Sequence, residues 1–159
     1  MSILETRLAA WPDEAATAAT AARLATHPAL ADAFVELHGP LGAGKTTFAR
    51  HLLHALGVTG AIKSPTYALV EQYVAGAAAG GFAIGHFDFY RFDDPNEWED
   101  AGFRDIFADP GLKLVEWPEK TAGLLPPCDL RLWITPHDGS DVRDARVEAM
   151  SARGLELLP

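Results

Sequence analysis

The chain carries the stretch Gly39-Pro40-Leu41-Gly42-Ala43-Gly44-Lys45-Thr46, in which two glycines, a lysine and a hydroxyl residue fall at fixed spacing. This spacing is the pattern of a phosphate-binding loop. Small residues let successive backbone N–H groups turn inward around phosphates, and the helix that follows presents its positive dipole end to the same anions. Lys45 adds a positive charge, and the Thr46 hydroxyl can hold magnesium. The stretch therefore predicts a site for a nucleoside triphosphate.

The residues on both sides of this loop have the patterns that it requires. Upstream, 33–37 is a run dense in apolar residues and predicts a buried strand. Downstream, Phe48, Leu52 and Leu56 recur every four residues and predict an amphipathic helix. Gly57 follows where a helix end favours a left-handed residue. Strand, loop and helix occur in order, which disfavours the plain alternative of a glycine-rich surface turn.

The rest of the chain alternates predicted strands with predicted helices. Residues 67–74 and 82–90 indicate a hairpin, because a flexible alanine- and glycine-rich segment separates two stretches of aromatic and branched residues. Further strands are expected at 3–8, 112–116, 130–134 and 143–150, and helices at 12–26 and 94–102. We therefore expect an α/β fold, a single P-loop NTPase domain over 1–159, with a mixed central sheet, an inserted β-hairpin and flanking helices.

Composition narrows the class of protein. Thirteen basic and twenty-two acidic side chains leave a formal charge of −9, and no lysine or arginine cluster could neutralise a run of phosphates. Autonomous nucleic-acid binding is therefore disfavoured. No leader-like or membrane-spanning pattern is evident, so we expect a cytoplasmic protein without a membrane partner. The single cysteine, Cys128, excludes an internal disulfide and a cysteine zinc site.

Three acidic or hydroxyl residues are candidates for the rest of a phosphate-processing site. Glu116 ends an apolar strand, where P-loop proteins place the carboxylate that faces magnesium, although a solvent-facing strand end would show the same pattern. Thr66, in Ser64-Pro65-Thr66, stands where switch proteins carry a magnesium-reaching threonine, and an ordinary Ser-Pro turn is the alternative. Asp88 shares one face of its predicted strand with His86 and Tyr90. This polar face indicates a catalytic or magnesium-binding role for Asp88, and the alternative is a polar face exposed to solvent.

Four segments in order resemble one family closely: 39–47, Lys63-Ser-Pro-Thr-Tyr67, His86-Phe-Asp-Phe-Tyr-Arg91 and Leu114-Val-Glu-Trp-Pro118. It is the bacterial TsaE family of small P-loop ATPases, which are needed for the threonylcarbamoyl modification of the adenosine next to the tRNA anticodon. The resemblance runs from about residue 34 to 120 and weakens at both ends. The phosphate loop is widely shared, whereas the other three segments are specific.

The resemblance implies roles for individual residues. Asp88 is the carboxylate required for hydrolysis, acting with Lys45 and Glu116, and Trp117 lies beside the nucleotide. ATP would be held by Gly39, Leu41, Gly42, Ala43, Gly44, Lys45, Thr46, Thr47 and Trp117, and magnesium by Thr46, Glu116 and Thr66. The resemblance also implies that the ATPase, weak or silent alone, docks on a TsaB and TsaD pair that holds the tRNA. The acidic chain would thus meet tRNA only indirectly.

Other classes of protein remain open at this stage. A small-metabolite P-loop kinase is the strongest alternative, but such enzymes usually need several arginines around the transferred phosphoryl group, and only Arg91 and Arg104 stand in the middle of the chain. A guanine-nucleotide switch is weaker, because no Asn-Lys-x-Asp segment occurs. A module that uses ATP only as a structural ligand would bind without turnover.

Overall fold

Strands and helices alternate along the chain, as the hydrophobic pattern predicts. The structure, a computed structural model, describes residues 2–63, 65 and 68–159. Its strands are β1 Glu5–Trp11, β2 Phe34–His38, β3 Val70–Val74, β4 Ala83–Asp88, β5 Leu112–Glu116, β6 Leu130–Pro136 and β7 Arg143–Ala149. Its helices are α1 Glu14–Ala25, α2 Lys45–Ala55, α3 Asn96–Asp100, α4 Phe103–Ala108 and α5 Ala152–Leu157. None of the described helices is long and apolar enough to cross a membrane.

The described strands form one seven-stranded sheet in the order β1-β7-β6-β2-β5-β4-β3. The four central strands are parallel, and the pairs β1–β7, β7–β6 and β4–β3 are antiparallel. The expected mixed sheet with a hairpin is confirmed. Since β2, β5 and β4 run side by side in the same direction, their carboxyl ends meet at one edge, which is where ligands bind in sheets of this kind.

Two hydrophobic clusters cover the two faces of the sheet. Alternate strand residues face opposite sides, so Val35 packs with α1 and α2 while the adjacent Phe34 packs with α3 and α4. The first cluster includes Leu24 of α1 and Phe48 of α2, and the second includes Trp98 and Phe103. The strands that carry the phosphate loop and the candidate acids are thereby buried on both sides, which makes them a rigid support.

Element boundaries differ from the expected ones mainly at the ends. Strand β5 covers 112–116 as predicted, whereas β1 lies later, at Glu5–Trp11, because seven consecutive residues pair with β7. Helix α1 begins after Asp13, whose carboxylate accepts from the Ala16 amide, so Pro12 lies before the cap. Strand β4 ends at Asp88, which leaves Tyr90 outside it. Helices α4 and α5 were not predicted, because six residues are too few to show a helical period.

The tip of the hairpin packs on the end of α2. The Gly76 amide donates to the Leu56 carbonyl at 2.8 Å, and a Cβ added to Gly57 would lie 3.1 Å from the Gly76 Cα. Gly57 itself has φ +79°, as expected for the left-handed residue after a helix. This contact joins the hairpin that carries Asp88 to the helix that carries Lys45.

Candidate nucleotide-binding site

The loop between β2 and α2 has the backbone conformation that its glycines predict. Gly39, Gly42 and Gly44 have φ of +148°, +78° and +108°, values that residues with a Cβ rarely adopt. A Cβ on Gly39 would also lie 2.5 Å from the Ile134 carbonyl oxygen of β6, whereas a Cβ on Gly42 would meet nothing within 4 Å. Gly39 is therefore required for packing against the sheet, and Gly42 for the open curve of the loop.

The start of α2 offers backbone donors to an anion. Gly44 is the N-cap residue and has no side chain to accept from the amides of the first turn. The first N–H groups of a helix lack intrahelical partners, and the helix dipole places partial positive charge there. The loop therefore combines glycines in the left-handed region, a helix start without a side-chain cap, and a lysine at the first position of α2. Together these features suit the binding of a phosphate group.

Lys45 is buried at the first position of α2, with 5 % of its surface exposed. Its Nζ donates to the Gly39 carbonyl at 2.5 Å and lies 3.5 Å from the centre of the Trp117 ring. Burial lowers the pKa of the ammonium, and the carboxylates of Glu116, Glu119 and Asp88 oppose that shift. The lysine is thus held inside the loop by a carbonyl and an aromatic ring, both of which a phosphate would replace.

Glu116 lies opposite the first turn of α2. Its Oε1 accepts a hydrogen bond from the Thr46 hydroxyl at 2.8 Å, and its Oε2 is 2.7 Å from His86 Nε2. Glu116 is 2 % exposed, so it is not a solvated strand end. The tertiary fold therefore brings the loop hydroxyl and the strand-end carboxylate into direct contact across 70 residues of sequence.

Asp88 lies beside Glu116 on the neighbouring strand. The two residues are register partners in the parallel pair of β4 and β5, and Asp88 is 6 % exposed. Burial raises the pKa of its carboxyl, while the Tyr90 amide, which donates to Oδ1 at 2.9 Å, opposes that shift. His86 and Asp88 share the side of β4 opposite Phe87, as strand alternation predicts, but that side is buried rather than wet.

The oxygen ligands near Thr46 fit magnesium. Mg²⁺ prefers oxygen ligands and is usually held by one or two carboxylates together with waters and substrate phosphates. The hydroxyl of Thr46 and the carboxylate of Glu116 are two such oxygens in contact with each other. Among the described residues no group of three or more metal-ligating side chains is present. A hydroxyl and a carboxylate are donors that suit an ion shared with a substrate phosphate.

A cavity of about 340 Å³ opens beside the loop and was not predicted from the sequence. Ala43, Gly44 and Thr47 form one wall of the cavity, and Trp11, Asp13 and Arg143 line the rest with further residues. The Arg143 Nε donates to the Ala43 carbonyl at 2.9 Å, across 100 residues of sequence. No sequence signal marks Trp11, Asp13 and Arg143 as residues of this cavity, because only the pairing of β1 with β7 and of β7 with β6 brings them to the loop.

The remaining predicted residues are placed as follows. Leu41 is 71 % exposed, and Thr47 lines the cavity. Trp117 follows β5 with φ +57° and contacts both Lys45 and, at 5.0 Å between ring centres, Tyr90. Thr66 lies outside the described residues. Lys45, Thr46, Asp88, Glu116 and Trp117 thus form one site.

A phosphate loop between a central parallel strand and a helix, faced by an acid at the end of the adjacent strand, defines the class of P-loop nucleotide-binding proteins. The model of a protein family described as threonylcarbamoyl adenosine biosynthesis protein TsaE matches residues 11–145. This chain belongs to the TsaE family. The matched range begins at Trp11 of the cavity and includes all the site residues above.

Two relatives and one solved structure support this assignment. The tRNA threonylcarbamoyladenosine biosynthesis protein TsaE of Haemophilus influenzae is 43% identical over 124 residues, 78% of this chain and 75% of that protein. The Bacillus subtilis protein of the same name is 35% identical over 117 residues, 74% of this chain and 70% of that one. The crystal structure of Bacillus subtilis YdiB superposes with a TM-score of 0.74 at 26% identity, covering 99% of this chain and 94% of that one.

Proposed function

We propose that this chain is a single-domain, magnesium-dependent ATPase of tRNA threonylcarbamoyladenosine biosynthesis, acting in the cytoplasm on a TsaB and TsaD pair. The observation that carries the proposal is the contact between the Thr46 hydroxyl and the Glu116 carboxylate at the start of the P-loop helix. A hydroxyl and an acid at this point are the groups that hold magnesium against nucleotide phosphates in P-loop enzymes. Family membership gives the pathway.

The loop residues bind and orient the phosphates in this proposal. Backbone amides of Gly42, Gly44 and the first turn of α2 would face the anion, whereas the Ala43 amide donates to the Pro40 carbonyl. Lys45 would exchange the Gly39 carbonyl for a phosphate oxygen. Thr46 and Glu116 would hold magnesium, which would neutralise charge on the phosphates. The Lys45 ammonium lies in a largely buried position, where its attraction for a phosphate is stronger than in water.

Asp88 is the residue that would act on the attacking water. Its carboxylate lies next to Glu116 and is mostly shielded from solvent. Burial raises its pKa, which makes it a better proton acceptor than an exposed aspartate. Its Oδ1 already accepts the Tyr90 amide, so Oδ2 is the oxygen that would orient the water. Thr66 would complete the magnesium site as a switch threonine.

The cavity beside the loop is the place for the base and ribose. It borders Gly44 and Thr47 at the start of α2, where the sugar end of a nucleotide would leave the phosphate loop. Asp13 offers oxygens that accept from ribose hydroxyls, and Arg143 fixes one wall by its bond to Ala43. The cavity volume is within the range of small-ligand sites, which is about 300–1,000 Å³.

A partner protein is expected to hold the tRNA. A chain with a formal charge of −9 is repelled by the phosphates of tRNA, which disfavours direct binding. We propose that the TsaB and TsaD pair responds to nucleotide binding and hydrolysis by this chain.

Hydrolysis in a reconstituted system tests the proposal. ATP turnover would be measured with the chain alone, with the purified TsaB and TsaD pair, and with the pair plus tRNA, using Lys45→Ala as the control throughout. Stimulation by the pair that disappears in Lys45→Ala is the expected result. Turnover that responds to a small metabolite, but not to the pair, would instead indicate a kinase, and nucleotide binding without turnover under every condition would indicate a binding module.

A further inference from the structure

A half-buried hydroxyl and two buried side chains form a continuous line from the phosphate-loop helix to the hairpin. The Thr46 hydroxyl donates to Oε1 of Glu116 at 2.8 Å, and the Oε2 atom of the same carboxylate lies 2.7 Å from His86 Nε2. His86 is 1 % exposed and Glu116 is 2 % exposed. Each oxygen of the carboxylate is therefore assigned to a different neighbour.

The direction of the second hydrogen bond follows from the chemistry of the pair. An ionised carboxylate only accepts, so the Nε2 atom of His86 carries the proton and donates to Glu116. The other ring nitrogen, Nδ1, is buried and has no hydrogen-bond partner among the described residues. The imidazole is thus oriented by its single bond to Glu116, and the bond in turn fixes the rotation of the carboxylate.

This bond is not needed to hold β4 in the sheet. Residues 84–88 of β4 pair in register with 112–116 of β5 through the backbone, and Phe87 anchors the opposite face of β4 in a phenylalanine cluster. A histidine that served only to fill space could be an apolar residue, which would avoid burying an unpartnered nitrogen.

We propose that His86 is a positioning residue for magnesium: its Nε2–H holds Oε2 of Glu116, so that Oε1 remains directed at Thr46 and at the ion these two residues share. The inference rests on the proposed function, because it assumes that Thr46 and Glu116 hold magnesium. Groups that orient a metal ligand in this way typically affect metal affinity or activity by about 10- to 100-fold.

Two matched amide substitutions test the role of the donor. In His86→Gln the side-chain nitrogen lies the same number of bonds from the backbone as Nε2, so it can reach Glu116. In His86→Asn the nitrogen corresponds to Nδ1 and falls short. Binding of Mn²⁺ would be measured by electron paramagnetic resonance on the full chain saturated with ADP, and ADP affinity by calorimetry in EDTA. Thermal unfolding followed by circular dichroism checks the fold of each variant.

The expected result is an Mn²⁺ affinity that falls by about 10-fold or more in His86→Asn and is largely retained in His86→Gln. ADP affinity in EDTA should stay within about twofold in both, because the hydrogen bond of the imidazole is to Glu116 and acts on the metal ligand. Equal Mn²⁺ affinities in the two variants, or a loss of ADP binding in parallel with Mn²⁺ binding, would overturn the inference.

A Glu116→Gln variant separates this inference from the proposed function. If the wild-type chain with ADP binds no Mn²⁺, both fail together. If the wild-type chain binds Mn²⁺ and Glu116→Gln does not, the magnesium site stands, and unchanged binding in His86→Asn overturns the positioning role alone.

Discussion

The ammonium of Lys45 lies over the indole ring of Trp117, with Nζ 3.5 Å from the centre of the ring. Trp117 reaches this position through a backbone φ of +57°, a conformation that a bulky residue rarely adopts. The same Nζ donates to the Gly39 carbonyl. The lysine that should bind phosphate is therefore already engaged by two groups of the site, and binding of a phosphate must compete with both.

Nucleotide binding should consequently change the fluorescence of Trp117. When Lys45 turns toward a phosphate, the charge next to the indole ring moves, and the emission of that ring should shift. Titration with ADP, followed by intrinsic fluorescence, measures this effect. In a Trp11→Phe background, which removes the tryptophan that lines the cavity, Trp117→Phe should abolish the change, whereas Trp133→Phe, which alters β6, should preserve it. A change that survives in Trp117→Phe would show that the ring does not sense the bound nucleotide.

Asp88→Asn should slow ATP hydrolysis by about 100-fold or more, the usual contribution of a general base. ADP affinity should be unchanged, because the amide keeps the size of the carboxylate and can still accept the Tyr90 amide. The measurement is single-turnover hydrolysis with the TsaB and TsaD pair. An unaltered rate would exclude the proposed role of Asp88.

The pH profile of the wild-type rate should reflect the buried position of Asp88. The base acts in its ionised form, so the rate should fall as the pH falls through the pKa of this group. Since burial raises that pKa, the fall should begin at a higher pH than for an exposed aspartate. Asp88→Asn should lack this limb of the profile. A limb that persists in the variant would belong to another group.

The same substitution should stabilise the folded chain at neutral pH. An acid with a raised pKa in the folded state binds its proton more tightly there than in the unfolded state, so its ionisation at higher pH opposes folding. Asn cannot ionise, and therefore removes this cost. The melting temperature of Asp88→Asn should exceed that of the wild type above the raised pKa, and the difference should shrink as the pH falls through it. A lower melting temperature at pH 8 would contradict this expectation.

Two glycines of the loop should respond differently to substitution by alanine. Gly39→Ala places a Cβ 2.5 Å from the Ile134 carbonyl oxygen, in addition to the cost of a positive φ. We expect a loss of about 3 kcal/mol or more in the free energy of unfolding. Gly42→Ala meets open space and carries the backbone cost alone, about 1–2 kcal/mol. Urea denaturation of both variants tests the difference, and equal losses would contradict it.

Arg143→Ala should weaken ADP binding, because its guanidinium holds the Ala43 carbonyl in the wall of the cavity proposed for the nucleotide. Arg143 donates to the Ala43 carbonyl and lines the cavity beside the loop. Arg146→Ala is the matched control, because Arg146 lies on the same strand but pairs with Glu148. Calorimetry with ADP should show a loss only in Arg143→Ala. Comparable losses in both variants would mean that the effect is general to β7.

Local sequence was sufficient wherever a function needs a fixed local geometry. The phosphate loop, the strand before it and the helix after it were all predicted, as was β5 with Glu116 at its end. These elements depend on glycine spacing and hydrophobic period, which are visible within a few residues. The short helices α4 and α5 were missed, because their six residues show no period and are stabilised by packing on the sheet.

The sequence by itself determined the class of the protein and predicted which loop residues would face a phosphate, because glycine spacing fixes the local geometry of the loop. Only the tertiary structure decided that Glu116 contacts Thr46, that His86 is buried behind that acid, and that Arg143 reaches the loop from β7. These contacts depend on the order and register of the strands. The energy that sets this register comes from burial of both faces of the sheet, to which residues throughout the chain contribute.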